Sequence, residues 1–163
     1  MYIVMIASEC APIAKTGGLG DVVGSLSKAL QQKGHQVEII LPKYDCLRYD
    51  KIQNLQTVYQ NLLSPYDGNW LPNEVMRGLV DGVPCYFIDT GWYKNFFNRG
   101  VIYGESDDPD RFAYFSKTAL EFLYKTGKKP DVIHAHDWQT GLVPMLFHNI
   151  YRGLGMEKTR VVY

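Results

Sequence analysis

The chain has 163 residues and 46% hydrophobic content, enough for one compact domain that buries most of the apolar surface of its unfolded state. Its 17 basic and 17 acidic residues give a formal net charge of zero, so no overall field draws it to nucleic acid, an anionic membrane or a polyacid; a charged ligand must be held locally. Cys10, Cys46 and Cys85 are an odd number without C-x-x-C spacing, which argues against a disulfide framework or zinc ribbon and for a reducing compartment.

In chain order, Met1 to Ala7 is too short an apolar run to span a membrane and lacks the basic start of a signal peptide. Tyr2 to Ala7 instead reads as a parallel strand covered on both faces. Val22, Val23, Leu26, Ala29 and Leu30 recur at helical spacing, with Lys28, Gln31, Gln32 and Lys33 on the wet face and Gly34 placed to end the helix. Val37 to Leu41 is a second buried strand that Pro42 should stop, completing a βαβ unit. Lys51 to Val80 shows no sustained helical period and contains Pro65, Gly68 and Pro72, so most of it reads as excursions from the core. Asp81-Gly82 between the β-rich runs Glu74 to Val80 and Val83 to Asp89 predicts an antiparallel hairpin.

Gly91 to Gly104, with Trp92-Tyr93-Lys94-Asn95-Phe96-Phe97-Asn98-Arg99-Gly100, reads as an aromatic loop of a length usually kept for function. A helix follows over Pro109 to Tyr124, then a strand over Val132 to Ala135 and a second helix over Thr140 to Arg152. Arg160 to Tyr163 begins one more buried strand, which suggests a fragment of a larger sheet. The expected class is α/β, a Rossmann-like parallel-sheet domain with an inserted β-hairpin.

Two segments fall at the carboxyl ends of strands, where an α/β sheet opens its ligand crevice. In the first, Lys15-Thr16-Gly17-Gly18-Leu19-Gly20-Asp21, glycines allow close backbone approach, the following helix offers unpaired N–H groups, and Lys15 adds a charge suited to phosphate. The run misses G-x-G-x-x-G, because Val23 holds the third position and Gly24 comes one place late. Leu41-Pro42-Lys43 stands where a dinucleotide fold wants an acid for the ribose, so a nicotinamide enzyme is disfavoured. No P-loop signature is present. A bare tight turn would need the glycines but neither Lys15 nor Asp21.

The second segment is His134-Ala135-His136-Asp137-Trp138-Gln139. Histidines two apart on a strand share a face, so His134 and His136 with Asp137 nearby could hold a metal, but the only other histidines are His35 and His148 and no second ligand cluster exists. His134 reads equally well as a hydrogen-bonded core residue. Asp137 could cap the next helix, while its pairing with Trp138 at a crevice edge favours contact with a sugar.

Together these residues resemble the starch and glycogen synthase family, ADP-glucose-dependent glycosyltransferases of two Rossmann-like domains (GT-B) with the active site between them. The resemblance runs the whole chain. Ser8-Glu9-Cys10-Ala11-Pro12 with Lys15-Thr16-Gly17-Gly18-Leu19-Gly20-Asp21-Val22 is similar to the amino-terminal signature, and His134-Ala135-His136-Asp137-Trp138-Gln139-Thr140-Gly141-Leu142 to a second block. Phe97-Asn98-Arg99-Gly100 to Tyr103-Gly104, Asp107-Asp108 and Arg111-Phe112 resemble weaker connecting motifs, and Gln139 stands where some relatives have histidine.

The resemblance implies transfer of glucose from ADP-glucose to the non-reducing end of an α-1,4-glucan, with retention and with no metal or other cofactor. It implies Lys15 on the donor phosphates, with Gly17 and Gly18 closing on the sugar nucleotide and Asp21 beside them. Tyr103, His136 and Trp138 are implied on the substrate side of the cleft, with Asp21 and Asp137 as candidate catalytic acids. The partners implied are the glucan, ADP-glucose and a carboxyl-terminal nucleotide-binding domain beyond Tyr163, with no nucleic acid and no membrane. A bacterial cytoplasm or a plastid fits. The competing classes are a stand-alone carbohydrate-binding module that lost catalysis and the nicotinamide enzyme.

Overall fold

The computed structural model describes the backbone of residues 1–163, and the side chains of Trp92 and Tyr93 lie outside the described residues. Tyr2–Ile6 (β1), Gln36–Pro42 (β2), Gln53–Tyr66 (β3), Asn69–Val80 (β4), Val83–Asp89 (β5), Val132–Ala135 (β6) and Arg160–Val162 (β7) form one seven-stranded sheet. Its order is β3-β4-β5-β2-β1-β6-β7. Strands β5, β2, β1, β6 and β7 run parallel, while β3, β4 and β5 pair antiparallel. The expected α/β fold with an antiparallel insertion is therefore present.

Helices Gly18–Gln32 (α1) and Asp108–Lys125 (α3) are the long ones; Gly91–Lys94 (α2) and Val143–Leu146 (α4) are single turns. None is long and apolar enough to cross a membrane among the described residues. Ile3, Val4, Met5 and Ile6 are buried because helices or loops cover both faces of the parallel strands, as their unbroken apolar run requires. Phe112, Phe115, Ala119, Phe122 and Leu123 of α3 recur every three or four residues and fill the core on one side of the sheet.

Asp81 and Gly82, with φ of 49° and 83°, make the expected two-residue turn, and Val80 pairs Val83 directly. The larger correction is upstream. Residues from Gln53 onward are not excursions; they form a long ladder with β4 closed by Asp67-Gly68, a second turn at positive φ. The alternation that would have revealed β3 is broken by register shifts between Gln53 and Gln56 and between Thr57, Tyr59 and Leu62, with Asn54 and Asn61 in the left-handed region. As an edge strand β3 tolerates Pro65, opposite Trp70.

Four smaller expectations also change. Pro42 ends β2 from within, as its last residue paired with Ile88, one position later than expected. The aromatic loop opens with α2, and Phe96 and Phe97 turn into the core; the expectation for Trp92 and Tyr93 falls outside the described side chains. In α1 the buried face is Val23, Gly24 and Ser27, whereas Val22 and Ala29 are exposed. The helix expected over Thr140 to Arg152 is a succession of short pieces: a 3₁₀ turn at Trp138–Thr140, α4, a π turn at Phe147–Tyr151 and a 3₁₀ turn at Arg152–Leu154. Pro144 sits in the first turn of α4, where its missing N–H costs nothing.

The small face of α1 has a steric cause. A Cβ on Gly24 would lie 2.7 Å from the carbonyl oxygen of Ala11, and one on Gly20 would lie 3.1 Å from that of Ala14. The helix therefore rests on the backbone of the preceding loop. Gly24→Ala gains about 1 kcal/mol of helix propensity but must push backbone aside at a cost of roughly 1–3 kcal/mol. Urea unfolding should show a net loss of up to about 2 kcal/mol, while Gly18→Ala, whose Cβ meets nothing within 4 Å, should cost almost none.

Candidate functional site

Strand β1 has β2 on one side and β6 on the other, so connections leave it in opposite directions and a crevice opens beyond its carboxyl end. Ile6 pairs with Ala135, and the His136 amide donates to the Ile6 carbonyl at 3.1 Å. The glycine turn after β1 and the His-Asp turn after β6 are thereby side by side.

The glycine turn is organised by a residue that sequence reasoning quoted only as part of a motif. The Glu9 side chain is buried, and its carboxylate accepts from the Thr16 amide at 2.6 Å, the Thr16 hydroxyl at 2.9 Å and the Gly17 amide at 3.2 Å. It also accepts from the Tyr103 hydroxyl at 3.0 Å, and the Thr16 and Tyr103 hydroxyls bond each other. Burial alone would push the Glu9 carboxyl up, but these donors outweigh it and hold it below the usual carboxylate range. An acid placed two residues beyond a strand, seven residues before a Thr-Gly-Gly run, was the available signal. Its direction became readable only once the loop was folded.

With Glu9 fixing the Thr16 and Gly17 amides, α1 starts at Gly18 without a side-chain cap, leaving its first N–H groups toward the crevice. Gly17 is extended, at φ −148°, and a Cβ on Gly17 or Gly18 would meet nothing within 4 Å. Neither turn strain nor packing requires glycine there, and the backbone at the helix start is left open to approach. Gly20 and Gly24, by contrast, serve the helix-on-loop contact.

Lys15 bonds Asp21 at 2.8 Å, both side chains about half exposed, an ion pair weak enough to exchange for a ligand. Lys15, Thr16, Arg48 and Tyr103 border a cavity of about 520 Å³.

Across the crevice Asp137 is exposed and held at φ 62°, an unfavourable conformation for a non-glycine residue. Its carboxylate accepts from the Trp138 amide at 2.6 Å, the capping role weighed from sequence, and still faces solvent. The Trp138 ring is half exposed and stands edge-on to Phe112, with centroids 5.5 Å apart, and to Tyr103, at 6.4 Å. Tyr103 thus links the two turns. It is placed by Arg111, wholly buried, which donates to Asp108 at 2.7 Å and to the carbonyls of Phe96 and Ile102, each at 2.9 Å. Arg99 clasps Asp107 with two further bonds. Arg111, Asp108, Arg99 and Asp107 were quoted from sequence without roles; here they fold the loop that carries Tyr103.

The structure therefore brings together Lys15, Gly17, Gly18, Asp21, Tyr103, Asp137 and Trp138. It places His136 beneath them. That ring is buried, stacked on His134 with centroids 4.0 Å apart, and its Nε2 lies 3.3 Å from the Met5 sulfur. Burial, and secondarily His134, lowers the His136 pKa to about 4, and burial lowers that of His134. Both rings are neutral at pH 7. Among the described residues no group of three or more His, Cys, Asp or Glu side chains is arranged to hold a metal.

Residues 2–163 match the family model described as starch synthase catalytic domain. The chain is 54% identical over its whole length to glycogen synthase 1 of Nitrosococcus oceani and 56% identical to probable glycogen synthase 2 of Synechocystis sp., covering 33% of each. It is 50% identical to probable starch synthase 4, chloroplastic/amyloplastic, of Arabidopsis thaliana, covering 16% of it. Among solved structures, the catalytic domain of starch synthase IV from Arabidopsis thaliana bound to ADP and acarbose superposes with a TM-score of 0.95 at 51% identity, over 98% of this chain and 32% of that one. The chain spans about a third of the length of the bacterial relatives it matches.

Two measurements check the site's electrostatics. Glu9→Gln turns one acceptor oxygen into a donor facing donors, which should cost about 1–3 kcal/mol in urea unfolding at neutral pH. Because the folded carboxyl titrates below the unfolded one, the wild-type advantage is complete above the unfolded pKa and should narrow as pH falls through the folded value. A pH-independent difference would contradict that. His136 also has a folded pKa below its unfolded value, so stability is full above about pH 6.5 and falls toward about pH 4. In His136→Leu that acid limb, worth up to roughly 3 kcal/mol, should flatten.

Proposed function

This chain belongs to the starch synthase catalytic domain family, and we propose that the enzyme of which it forms a part transfers glucose from ADP-glucose to the non-reducing end of an α-1,4-glucan, retaining configuration. The observation that carries the reading is the pair of sterically open glycines, Gly17 and Gly18, at an uncapped helix start beside an exchangeable lysine. That arrangement suits a diphosphate, and the Arabidopsis domain of 51% identity is bound to ADP.

In this reading Lys15 leaves Asp21 for the donor diphosphate and, with the first N–H groups of α1, stabilises the negative charge that grows on the leaving ADP. Tyr103 and Trp138 offer ring faces and edges to glucose units, with Asp137 and Asp21 the acidic residues turned toward the transferred sugar. His136, neutral and buried, supports the Asp137 turn from below instead of touching substrate. The transfer uses no metal or other cofactor. The site is one wall of a cleft whose other wall is a second Rossmann-like domain in a GT-B arrangement, and proximity of donor and acceptor between the walls supplies much of the rate. Free cysteines and relatives named from bacteria and plastids support a cytoplasmic or plastid setting.

The test uses the full-length parent with labelled ADP-glucose and a maltooligosaccharide primer. Lys15→Ala should weaken apparent donor affinity or turnover by at least about tenfold, the loss of one charge-assisted contact. Gly18→Ala should leave the unfolding midpoint unchanged while impairing donor use. Donor affinity and turnover indifferent to both changes would remove the diphosphate from this turn.

A further inference from the structure

Residues 100–104 form a short strap that carries Tyr103, and both of its ends are glycines at positive φ, Gly100 at 72° and Gly104 at 107°. Glycines are pivots whose backbone can take other angles at little steric cost, so partners elsewhere must set where they lie. The two ends are held differently. The Gly104 amide donates to Asp108 at 2.7 Å, and Asp108 is tied to the buried Arg111, which also holds the Ile102 carbonyl. The Gly100 amide donates to both carboxylate oxygens of Asp45, at 2.9 and 3.1 Å. Asp45 is exposed, so one end of the strap is fastened in the core and the other from the surface.

Asp45 lies on the connection after β2, and that connection is itself fixed. Tyr44 is wholly buried; its hydroxyl donates to the Ser8 carbonyl at 3.0 Å, and its ring stands edge-on to Phe97 with centroids 5.5 Å apart. The Asp45 amide donates to the Phe97 carbonyl at 3.3 Å, and the Arg48 amide to the Ile13 carbonyl at 3.0 Å. The same short segment therefore grips the loop after β1, which carries Glu9 and Lys15, and the segment leading into the strap. Cys46 and Arg48, next along it, border the 520 Å³ cavity together with Lys15, Thr16 and Tyr103. Only Val101 and Ile102 separate Gly100 from Tyr103, so a shift at Gly100 is passed to the Tyr103 ring and to its bonds with Glu9 and Thr16.

We propose that Asp45 is a positioning residue for glucosyl transfer: by holding the Gly100 amide it sets where the Tyr103 ring meets the glucan primer. This rests on the proposed function, in which Tyr103 offers its ring to glucose units. Asp45 acts through Tyr103 and does not touch substrate. What the Gly100 amide needs is an acceptor oxygen, which an asparagine side chain also supplies.

The experiment uses the full-length parent. Asp45→Ala should raise both KM and Kd for a maltooligosaccharide primer at least about threefold, the loss of one local hydrogen bond, while KM for ADP-glucose and the urea unfolding midpoint stay unchanged. Asp45→Asn should recover most of that loss. In a Tyr103→Ala background Asp45→Ala should add nothing, because the group it positions is gone. Primer affinity indifferent to Asp45→Ala overturns the proposal, as do losses that add to those of Tyr103→Ala or that Asp45→Asn shares in full. A parent that binds primer through Asp45 and Tyr103 yet transfers no glucose fails the proposed function and keeps the positioning role. One that transfers glucose with primer affinity indifferent to Asp45→Ala fails the positioning role alone.

Discussion

The Glu9 carboxylate lies under the glycine turn with hydrogen bonds converging on it from the Thr16 amide and hydroxyl, the Gly17 amide and the Tyr103 hydroxyl, and the shape of the cleft depends on that convergence. A buried carboxylate is tolerable only when its oxygens are satisfied, so the donors cannot drift without a large loss. Because those donors are the backbone just ahead of α1, satisfying Glu9 fixes where the helix begins. Lys15, one residue before the tethered Thr16, is held at the crevice mouth as a result.

Arg111 does for the opposite loop what Glu9 does for the glycine turn. A guanidinium in the core is costly unless Coulomb attraction and hydrogen bonds meet it fully. Here Asp108 supplies the charge, the Phe96 and Ile102 carbonyls each accept from one terminal nitrogen, and the Phe97 and Phe112 rings lie beside the guanidinium. The loop is gathered around the cation, and Tyr103 emerges from it toward Glu9 and Trp138. Two buried ions of opposite sign, each satisfied by backbone and side-chain groups together, thus set the two halves of one site.

Glycine does two separate jobs in a single short run. Gly20 and Gly24 let α1 settle onto the Ala11 to Lys15 loop, a packing duty. Gly17 and Gly18 have open space around them and no positive φ, so what they supply is close approach to the backbone at the helix start without a side chain in the way, the Gly17 N–H itself being held by Glu9. The tight-turn reading of the motif accounts for neither pair. The same sheet that places this run at a topological switch point also leaves β3 at an open edge, where bulges at Asn54 and Asn61 interrupt an otherwise regular ladder.

The sequence by itself determined the parallel strands, the α1 and α3 helices and the Asp81-Gly82 hairpin, because unbroken apolar runs, helical spacing and a turn dipeptide are local signals. It also determined the two motif turns and, through them, the family. It hid β3, whose bulges destroy the period-two alternation, and it misread Thr140 to Arg152 as one helix where the chain makes successive short turns. Only the tertiary structure decided what Glu9 and Arg111 do, since a buried charge is defined by partners from distant segments: Tyr103 lies 94 positions from Glu9. It likewise separated His136, facing Met5 in the core, from Asp137, facing solvent, because β6 ends at Ala135 and the chain turns at Asp137 with φ of 62°, a reversal that only the folded turn fixes.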